Sequence, residues 1–437
     1  MSAQLDQEAV ATDGRRRTFL VALVFLLPAL VLLGALVVYP IFFSITRSMF
    51  DVSGHTFVGI QNYRTMFESE ATRTAIKNTL IWVVFAPSIV TALGLIFAVL
   101  SERISWSTAF KVVIFMPMAV SFLSAGVTWR LIYEEDPQLG LANAAARGVA
   151  DVVQPPGPIL GARPSDEELL VPEGQGYITS GTLAPGDTAE LGLVAIPPDL
   201  IPPEATTAAA PAADASGIAG TVWVDFTTGG GGESGVIDST EKGLPGVQVE
   251  AVQGDAVVGS ASTGPDGRFV IAGLAAGDYR LQLPPSNFRE PFGGFSWLGP
   301  TLVTPAIIVA YVWIWAGFAM VVIAAGLAAI PRDVLEAARV EGANEWQVFR
   351  RVTVPLLAPL LAVVLVTLVI NVLKIFDLVL VIAPGSSQQS ANVIALQMWK
   401  TAFGVRDFGV GSALGVFLFL LVIPAMAFNI RRFRAEQ

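Results

Sequence analysis

The chain contains no cysteine and a single histidine, and only 14% of its 437 residues are charged. The absence of cysteine excludes disulfides, thiolate metal sites and a thiol nucleophile. A single histidine, His55, also excludes a histidine-rich metal site. No Gly-Lys pair occurs, so the chain lacks a phosphate-binding Walker loop and we expect no ATP hydrolysis of its own.

In place of charge the chain has long apolar segments. Hydrophobic residues make up 53% of it and its mean hydropathy is +0.63, whereas soluble domains carry about 25% charged residues. A transmembrane helix needs about 20 mostly apolar residues, and six windows meet this condition. We predict spans at 18–40, 76–100, 112–133, 300–326, 356–382 and 409–430.

Two details of these windows affect their interpretation. The first window is too long for a signal-peptide core and lacks a small-residue cleavage site, so we expect a retained helix. Prolines 87, 117, 305 and 424 fall in or near spans. We expect kinks there rather than breaks, because neighbouring helices satisfy the backbone groups that proline frees.

Lysine and arginine gather on one side of the predicted spans. They occur at 15–17 before the first span, at 431–434 after the last, and in the loop between the fourth and fifth spans. Because basic loops stay in the cytoplasm, we predict cytoplasmic termini, with 1–17 as a cytoplasmic tail. Residues 134–298 hold 22 acidic and 6 basic residues, a net charge of −16, and we expect this block outside the cell.

The loop at 330–357 predicts two helices joined by a sharp turn. Pro331 is a helix-start residue. Gly342 suits the left-handed conformation that ends a helix. Asn344, with Gln347 three residues later, suits a capping box at the start of the second helix.

The same loop carries a recognisable motif. Its residues Glu336, Ala337, Ala338, Gly342 and Pro355, in this spacing, resemble the EAA loop of ABC-importer permeases. The resemblance implies that the loop docks as a coupling helix on a separate cytoplasmic ATPase, and that these five residues serve that coupling.

Other segments narrow the resemblance. Residues 57–63, 78–80, 374–377 and 399–413 are similar to segments of carbohydrate-uptake permeases of the first-subunit, maltose-permease type. The chain departs from that family at 383–387, where Ala-Pro-Gly-Ser-Ser replaces a frequent Gly-Gly-Pro turn. The departure leaves the outer rim of the pathway and the solute open.

The resemblance covers 18–142, which contain the predicted transmembrane helices one to three. It also covers 298–434, which lie within a second predicted helical region at 291–437. It implies an α-helical polytopic membrane protein of the type I ABC importer fold, placed in the bacterial cell membrane. It also implies a sugar or oligosaccharide as solute, no covalent chemistry and no cofactor. The implied partners are a second permease subunit, two ATPase subunits, an extracytoplasmic solute-binding protein and membrane lipid, with no nucleic acid.

The fifth predicted span contains three polar residues, Asn371, Lys374 and Asp377, spaced three apart. Residues at this spacing lie near one helix face, and charges within a span usually face a bundle interior or a wet cavity. We predict that they line the substrate pathway with Lys374 and Asp377 as a charge pair, and the alternative is that Lys374 snorkels to the interface. Aromatic partners for a sugar would come from Trp82, Tyr311, Trp313 and Trp315, although such residues also populate interfacial belts.

The acidic block itself has two parts. Residues 143–215 are rich in alanine and proline, and 151–215 alone contain 11 of the 28 prolines. Such composition buries little apolar surface, so we expect an acidic linker. Residues 216–290 hold β-rich runs at 220–224, 247–251, 268–271 and 279–283 with turn residues between them, which predicts a small antiparallel β-sandwich.

The predicted β-module resembles the prealbumin-like modules of bacterial surface proteins, of the SdrD-B or carboxypeptidase-regulatory type. The resemblance rests on 222–225, 238–247 and 264–279. It makes Asp225, Asp238 and Glu241 candidate calcium ligands, because carboxylates are the ligands that Ca²⁺ prefers. The glycine run at 229–232 replaces an Asn/Asp-rich loop, and solvated loop acids are the alternative.

Three hypotheses about function remain besides sugar import. They are an ABC permease for another solute class, a secondary transporter that works without an ATPase, and a membrane-anchored adhesion or sensing protein. A secondary transporter needs ion ligands at midplane and often internal repeats, and no convincing repeat is present. An adhesion protein needs one anchor rather than six spans.

Overall fold

The computed structural model describes residues 22–102, 104–227, 230 and 232–435, apart from the side chains of residue 199 and of 425–435. The predicted cytoplasmic tail, 1–17, lies outside these residues. The chain divides into two compact units. One runs up to Tyr133 and resumes at Ser296, and the other is Glu134–Phe295.

The first unit is helical. Helices in chain order are α1 (Ala22–Arg47), α2 (Gln61–Glu68), α3 (Glu70–Glu102), α4 (Ser107–Phe115), α5 (Phe122–Ile132), α6 (Leu141–Val153, in the second unit), α7 (Val303–Ala328), α8 (Arg332–Val340), α9 (Glu345–Val348), α10 (Val354–Leu373), α11 (Asp377–Ile382), α12 (Ile394–Trp399) and α13 (Phe408–Ala435). Short π-helical turns join α9 to α10 and follow α12.

Within the residues that the structure describes, four continuous helices are long and apolar enough to cross a membrane, namely α1, α3, α7 and the run from Glu345 to Leu373. A fifth span exists if α4 and α5 are counted together. The apolar part of α13, Phe408–Pro424, is shorter. The protein is therefore a multi-pass membrane protein, and the count of six spans stays a prediction.

The third predicted span is not one helix. The chain bends by 101° between Ser107–Ala119 and Phe122–Ile132, so the expected kink at Pro117 is wrong. Proline has no N–H to donate and its ring clashes with the preceding turn. The chain tightens into a 3₁₀ turn at Met116–Ala119, extends at Val120, and restarts with Ser121 as the N-cap that accepts from the Ser124 amide. Pro87, by contrast, lies inside the continuous helix α3.

The fifth predicted span is also interrupted. Helix α10 ends at Leu373, and α11 begins at Asp377. The prediction that Asn371, Lys374 and Asp377 share one helix face is wrong, because the backbone leaves helical geometry at Phe376, where φ is −140°. Neither proline nor glycine lies at this break.

The core of the helical unit lies between α3 and α7. Gly94 of α3 packs so closely on α7 that a Cβ atom there would lie 2.5 Å from the Cβ of Ala319. Trp82 and Tyr311 are both fully buried at this interface, with ring centroids 5.5 Å apart in an edge-to-face arrangement. Small residues thus bring the two helices together, and an aromatic pair fixes their register.

The second unit contains two β-sheets. Its strands are β1 (Arg163–Pro164), β2 (Leu170–Glu173), β3 (Gly176–Thr179), β4 (Thr188–Val194), β5 (Gly217–Val224), β6 (Lys242–Gly243), β7 (Gln248–Gln253), β8 (Ala256–Ser262), β9 (Arg268–Ala272) and β10 (Arg280–Leu283). One sheet has the order β1-β4-β5-β6, with β9 also paired to β5. The other has the order β2-β3-β10-β7-β8.

Residues 143–215 are not a linker, and the boundary predicted at 215 is wrong. This segment supplies α6 and four strands, of which β4 pairs with β5 and β3 pairs with β10. Its prolines lie in turns or on short outer strands, as Pro164 and Pro172 do, where proline removes no central hydrogen bond. The apolar alternation of β4, which buries Leu191 and Leu193, is lost when composition is averaged over the segment.

The strands predicted within 216–290 are confirmed as β5, β7, β9 and β10. The two sheets share one apolar core that includes Ile218 and Val222 from one sheet and Val249 and Leu281 from the other. This is a β-sandwich, larger than expected because it extends into 143–215. It is not wholly antiparallel, since β4 and β5 run parallel.

Candidate functional site

The helical unit encloses a cavity of about 220 Å³ beside the break between α10 and α11. Helix α7 contributes Tyr311 and Trp315, and the segment around the break contributes Asn371, Lys374 and Asp377. Phe122 and Phe376 complete its aromatic lining. All three predicted pathway residues therefore face one cavity, although they do not share a helix.

Two aromatic residues that line this cavity carry buried polar atoms without partners among the described residues. The hydroxyl of Tyr311 and the Nε1 of Trp315 are buried and have no hydrogen-bond partner within the described part of the chain. They lie four residues apart on α7, and their ring centroids are 5.9 Å apart. A buried donor without a partner costs about 1–3 kcal/mol.

The polar residues at the helix break carry opposite charges that are not paired with each other. Among the described residues no ion pair joins Lys374 to Asp377, and both side chains are exposed. Asn371 is half-buried and donates to the carbonyl oxygen of Thr367, 2.9 Å away. The cavity thus offers a cation, a carboxylate and an amide oxygen beside aromatic rings.

The aromatic residues proposed from sequence separate into two groups. Tyr311 and Trp315 line the cavity, whereas Trp82 is buried behind Tyr311 and Trp313 packs on Trp129. Phe122 was missed, because it lies in a segment that the sequence assigned to the middle of a span.

The loop between α7 and α10 has the local structure that the sequence predicts. Pro331 is the N-cap of α8, and Gly342 adopts a left-handed φ of +88°. Asn344 accepts from the Gln347 amide while the Gln347 side chain accepts from the Asn344 amide, both at 2.9 Å. The predicted capping box is confirmed.

This loop is held by an ion pair and presents apolar side chains to solvent. Arg339 of α8 donates to the Glu345 carboxylate, 2.9 Å away, which raises the pKa of the Arg339 guanidinium. No described residue of α8 is buried. Val340 is 89% exposed and Trp346 is 65% exposed. A rigid, exposed and partly apolar helix-turn-helix is a surface suited to a protein partner.

The three candidate calcium ligands serve as hydrogen-bond acceptors within their own loops. Asp225 accepts from the Gly235 amide at 2.7 Å, and Glu241 accepts from the Asp238 amide at 3.0 Å. Asp238 accepts from the Glu233 amide at 3.2 Å. The part of the chain that the structure describes contains no group of three or more acidic or histidine side chains placed to hold a metal ion. The calcium assignment stays a prediction without support from this geometry.

A polytopic helical unit with a polar, aromatic cavity defines a membrane transport protein. Residues 265–431 match the family described as binding-protein-dependent transport system inner membrane component. An ABC transporter permease protein of Caldicellulosiruptor sp. is 31% identical over 129 residues, which are 30% of this chain and 92% of that protein. The chain therefore belongs to this family of ABC transporter permease subunits, which are transport components rather than enzymes.

Two further relatives match almost the whole chain. The osmoprotective compounds uptake permease protein of Synechocystis sp. is 28% identical, covering 94% of this chain and 99% of the relative. The alpha-glucoside transport system permease protein of Rhizobium meliloti is 28% identical, covering 94% and 82%. A crystal structure of a bacterial ABC transporter that imports alginate matches with a TM-score of 0.54 and 15% identity over 97% of this chain and 98% of that one. This match shows that the fold is that of the importer permease.

Proposed function

We propose that this permease subunit carries a sugar or oligosaccharide into a bacterial cell and forms half of the translocation pathway. The observation that carries the proposal is the cavity at the α10–α11 break, which Tyr311 and Trp315 line together with Asn371 and Asp377. The alpha-glucoside permease of Rhizobium meliloti, similar over 94% of this chain, supports the choice of a sugar.

The chemistry of the cavity suits a sugar ring for two reasons. Sugar hydroxyls donate and accept hydrogen bonds, so they complement the donors Tyr311, Trp315 and Lys374 and the acceptors Asn371 and Asp377. The apolar C–H faces of a ring pack on aromatic side chains such as Phe122 and Phe376. The volume of about 220 Å³ is below the usual range for an enclosed ligand site. This fits one wall of a pathway that a second permease subunit completes.

We also propose that the loop at 330–357 couples this permease to a separate ATPase. Helix α8 would dock in a cleft of the ATPase through its exposed face, with Glu336 facing the partner and Ala337 and Ala338 allowing close approach. Gly342 makes the turn, and Pro355 starts α10 beyond it. The absence of buried residues on described α8 supports a surface that a partner covers.

The proposal also includes the remaining subunits of the importer and the orientation of this subunit in the membrane. The importer would contain this subunit, a second permease, two ATPase subunits and a solute-binding protein outside the cell. Both termini would be cytoplasmic, and residues 143–290 extracytoplasmic, because the basic residues outside the acidic block lie mostly on one side of the predicted spans. The family description, which names dependence on a binding protein, supports that partner.

The experiment is uptake of radiolabelled oligosaccharides by the complete importer reconstituted in liposomes. The variants Tyr311→Phe and Trp315→Phe remove one donor each while keeping an aromatic ring. We expect each to raise the half-saturating sugar concentration about tenfold, which corresponds to the loss of one or two hydrogen bonds. Trp313→Phe, on the same helix but outside the cavity, is the matched control. Unchanged uptake by both cavity variants would refute the assignment of this site.

An osmoprotective small solute is the second candidate. The Synechocystis relative, named for uptake of osmoprotective compounds, is covered over 99% of its length, and the small cavity with separate positive and negative charges suits a compact polar solute. Competition of labelled oligosaccharide uptake by unlabelled betaine separates the two candidates, because inhibition by betaine would favour the small solute and no inhibition would favour the sugar.

A further inference from the structure

The β-sandwich has a second cavity that the transport proposal does not use. It has a volume of about 450 Å³ and is open to solvent. Its walls are the segment before β1, the β2–β3 turn and the segment after β10. The side chains that matter to its chemistry are Arg163, Gln175, Tyr177, Phe288 and Glu290.

The walls of this cavity are fixed by backbone hydrogen bonds. The Gly157 amide donates to the Arg289 carbonyl oxygen at 2.9 Å, and the Ile159 amide donates to that of Asn287 at 3.2 Å. Asn287 is buried, and its side chain bonds the amide and the carbonyl oxygen of Gln248, at 2.9 and 2.7 Å. The cavity is therefore formed before any ligand arrives, which lowers the entropic cost of binding.

An aromatic ring forms the base of the cavity. Tyr177 lies in β3, paired with Leu283 of β10, and its ring packs edge-to-face on Phe288 with centroids 5.3 Å apart. The ring of Tyr177 is half-buried, so one part of it is supported and another part faces the cavity. A ring held in this way is a rigid platform for an apolar ligand face.

Three polar side chains surround the ring without partners. Within the described residues, Arg163, Gln175 and Glu290 form no side-chain hydrogen bond or ion pair, and all three are exposed. They offer a planar donor, an amide that both donates and accepts, and an acceptor. The positive and negative charges balance, so the cavity does not select for an anion or a cation.

We propose that this cavity is a saccharide-binding site, separate from the cavity in the helical unit. A sugar ring would stack its C–H face on Tyr177 while its hydroxyls bond Arg163, Gln175 and Glu290. An apolar peptide fits less well, because the rim is polar, and a phosphate fits less well, because Glu290 opposes it. The choice of an oligosaccharide also rests on the proposed function, and the experiment keeps the two apart.

The test uses the full-length permease in lipid nanodiscs on an array of neutral and uronate oligosaccharides. We expect retention of at least one oligosaccharide class, with Tyr177→Ala and Arg163→Ala each lowering its affinity at least tenfold and Tyr177→Phe retaining it. The matched controls are Phe226→Ala, which removes an exposed ring elsewhere in the sandwich, and Arg289→Ala, which removes a neighbouring exposed guanidinium outside the cavity. Both should bind as the wild type does.

Two outcomes would overturn the proposal. One is that no oligosaccharide is retained, and the other is that Tyr177→Ala and Arg163→Ala bind as tightly as the wild type. Because Arg163 is exposed, loss of folding does not confound its variant. Trp315→Phe, which tests the transport proposal, should leave array binding unchanged. If the wild-type permease binds the array normally but the wild-type importer takes up no oligosaccharide, the transport proposal alone is refuted.

Discussion

The side-chain amide of Asn78 donates a hydrogen bond to the carbonyl oxygen of Asn392, 2.9 Å away and 314 residues later in the chain. The same amide donates to the carbonyl oxygen of Ser390 at 2.6 Å. The adjacent Thr79 hydroxyl accepts from the Ile394 amide at 3.1 Å. Two side chains of α3 therefore anchor the segment that joins α11 to α12.

We expect Asn78→Ala to weaken this anchor. The buried carbonyl oxygen of Asn392 would lose its donor, which costs about 1–3 kcal/mol. Asn78→Asp should do the same, because a carboxylate has a similar shape but no N–H. Thermal unfolding in detergent and sugar uptake by the reconstituted importer measure the effect. Lys77→Ala, an exposed neighbour, is the control, and equal melting temperatures for all three variants would contradict the anchoring role.

The turn of the 330–357 loop gives a prediction about coupling. Gly342→Ala places a Cβ at φ +88°, a conformation that costs an L-residue roughly 1–2 kcal/mol, and Gly342→Asp adds a charge at the same place. Glu336→Lys reverses the charge of the proposed docking face. We expect Gly342→Asp and Glu336→Lys to abolish ATP-driven uptake while the subunit still inserts, and Gly342→Ala to reduce uptake.

The control for this loop is Glu341→Lys, which changes an exposed acid next to the turn. Uptake and sugar-stimulated ATP hydrolysis are measured in the purified complex. Normal stimulation in both Glu336→Lys and Gly342→Asp would show that the loop does not couple the subunits.

The cavity charges can be tested one at a time. Lys374 and Asp377 face the same cavity but form no ion pair with each other in the described chain. We therefore expect Asp377→Asn and Lys374→Gln each to weaken sugar uptake, about fivefold to tenfold for one charge-assisted hydrogen bond. An exchange of the two residues should not restore uptake. Full recovery in the exchanged variant would show that they act as a pair.

The β-sandwich is predicted to act as a docking arm for the solute-binding protein. Because Glu134–Phe295 is a compact unit of its own, deletion of 137–293 with a short Gly/Ser bridge should leave the helical unit folded. We expect uptake to need more binding protein for half-saturation, with little loss at saturation. The net charge of −16 over 134–298 should attract a basic partner less strongly as salt rises. If uptake depends on the concentration of binding protein in the same way after the deletion, the β-sandwich is a spacer and not a docking arm.

Calcium provides the last prediction. Asp225 and Glu241 are buried and accept hydrogen bonds from loop amides, so their lone pairs are partly occupied. We expect the melting temperature of the permease to be the same in calcium and in chelator. A calcium-dependent rise that Asp225→Asn abolishes would establish the metal site that the sequence resemblance implies.

The sequence predicted best where local interactions decide the structure. The capping box of Asn344 and Gln347, the left-handed Gly342 and the strands β5, β7, β9 and β10 all follow from residues close together in the chain. Hydropathy likewise located α7, whose bounds lie within three residues of the predicted window, although α1 and α3 extend beyond their windows. The EAA-like motif could be found for the same reason, because its residues occupy one short loop.

Predictions from the sequence were wrong where a segment is stabilised by residues far along the chain, and where composition was averaged over a long segment. The predicted linker at 143–215 folds as strands, because β4 and β3 are stabilised by β5 and β10, which lie far along the chain. The bend at Pro117 and the break at Phe376 occur within apolar runs that hydropathy treats as uniform.

The sequence by itself determined that this is an apolar, helical membrane protein with an acidic block at 134–298 and a loop at 330–357 that resembles the EAA motif. Only the tertiary structure decided which side chains meet. Tyr311 and Trp315 on α7 line the same cavity as Asn371, Lys374 and Asp377, which lie some sixty residues later in the chain, around the α10–α11 break. Hydropathy and motif spacing report on neighbours in the chain, whereas a binding site is made by side chains that packing brings together.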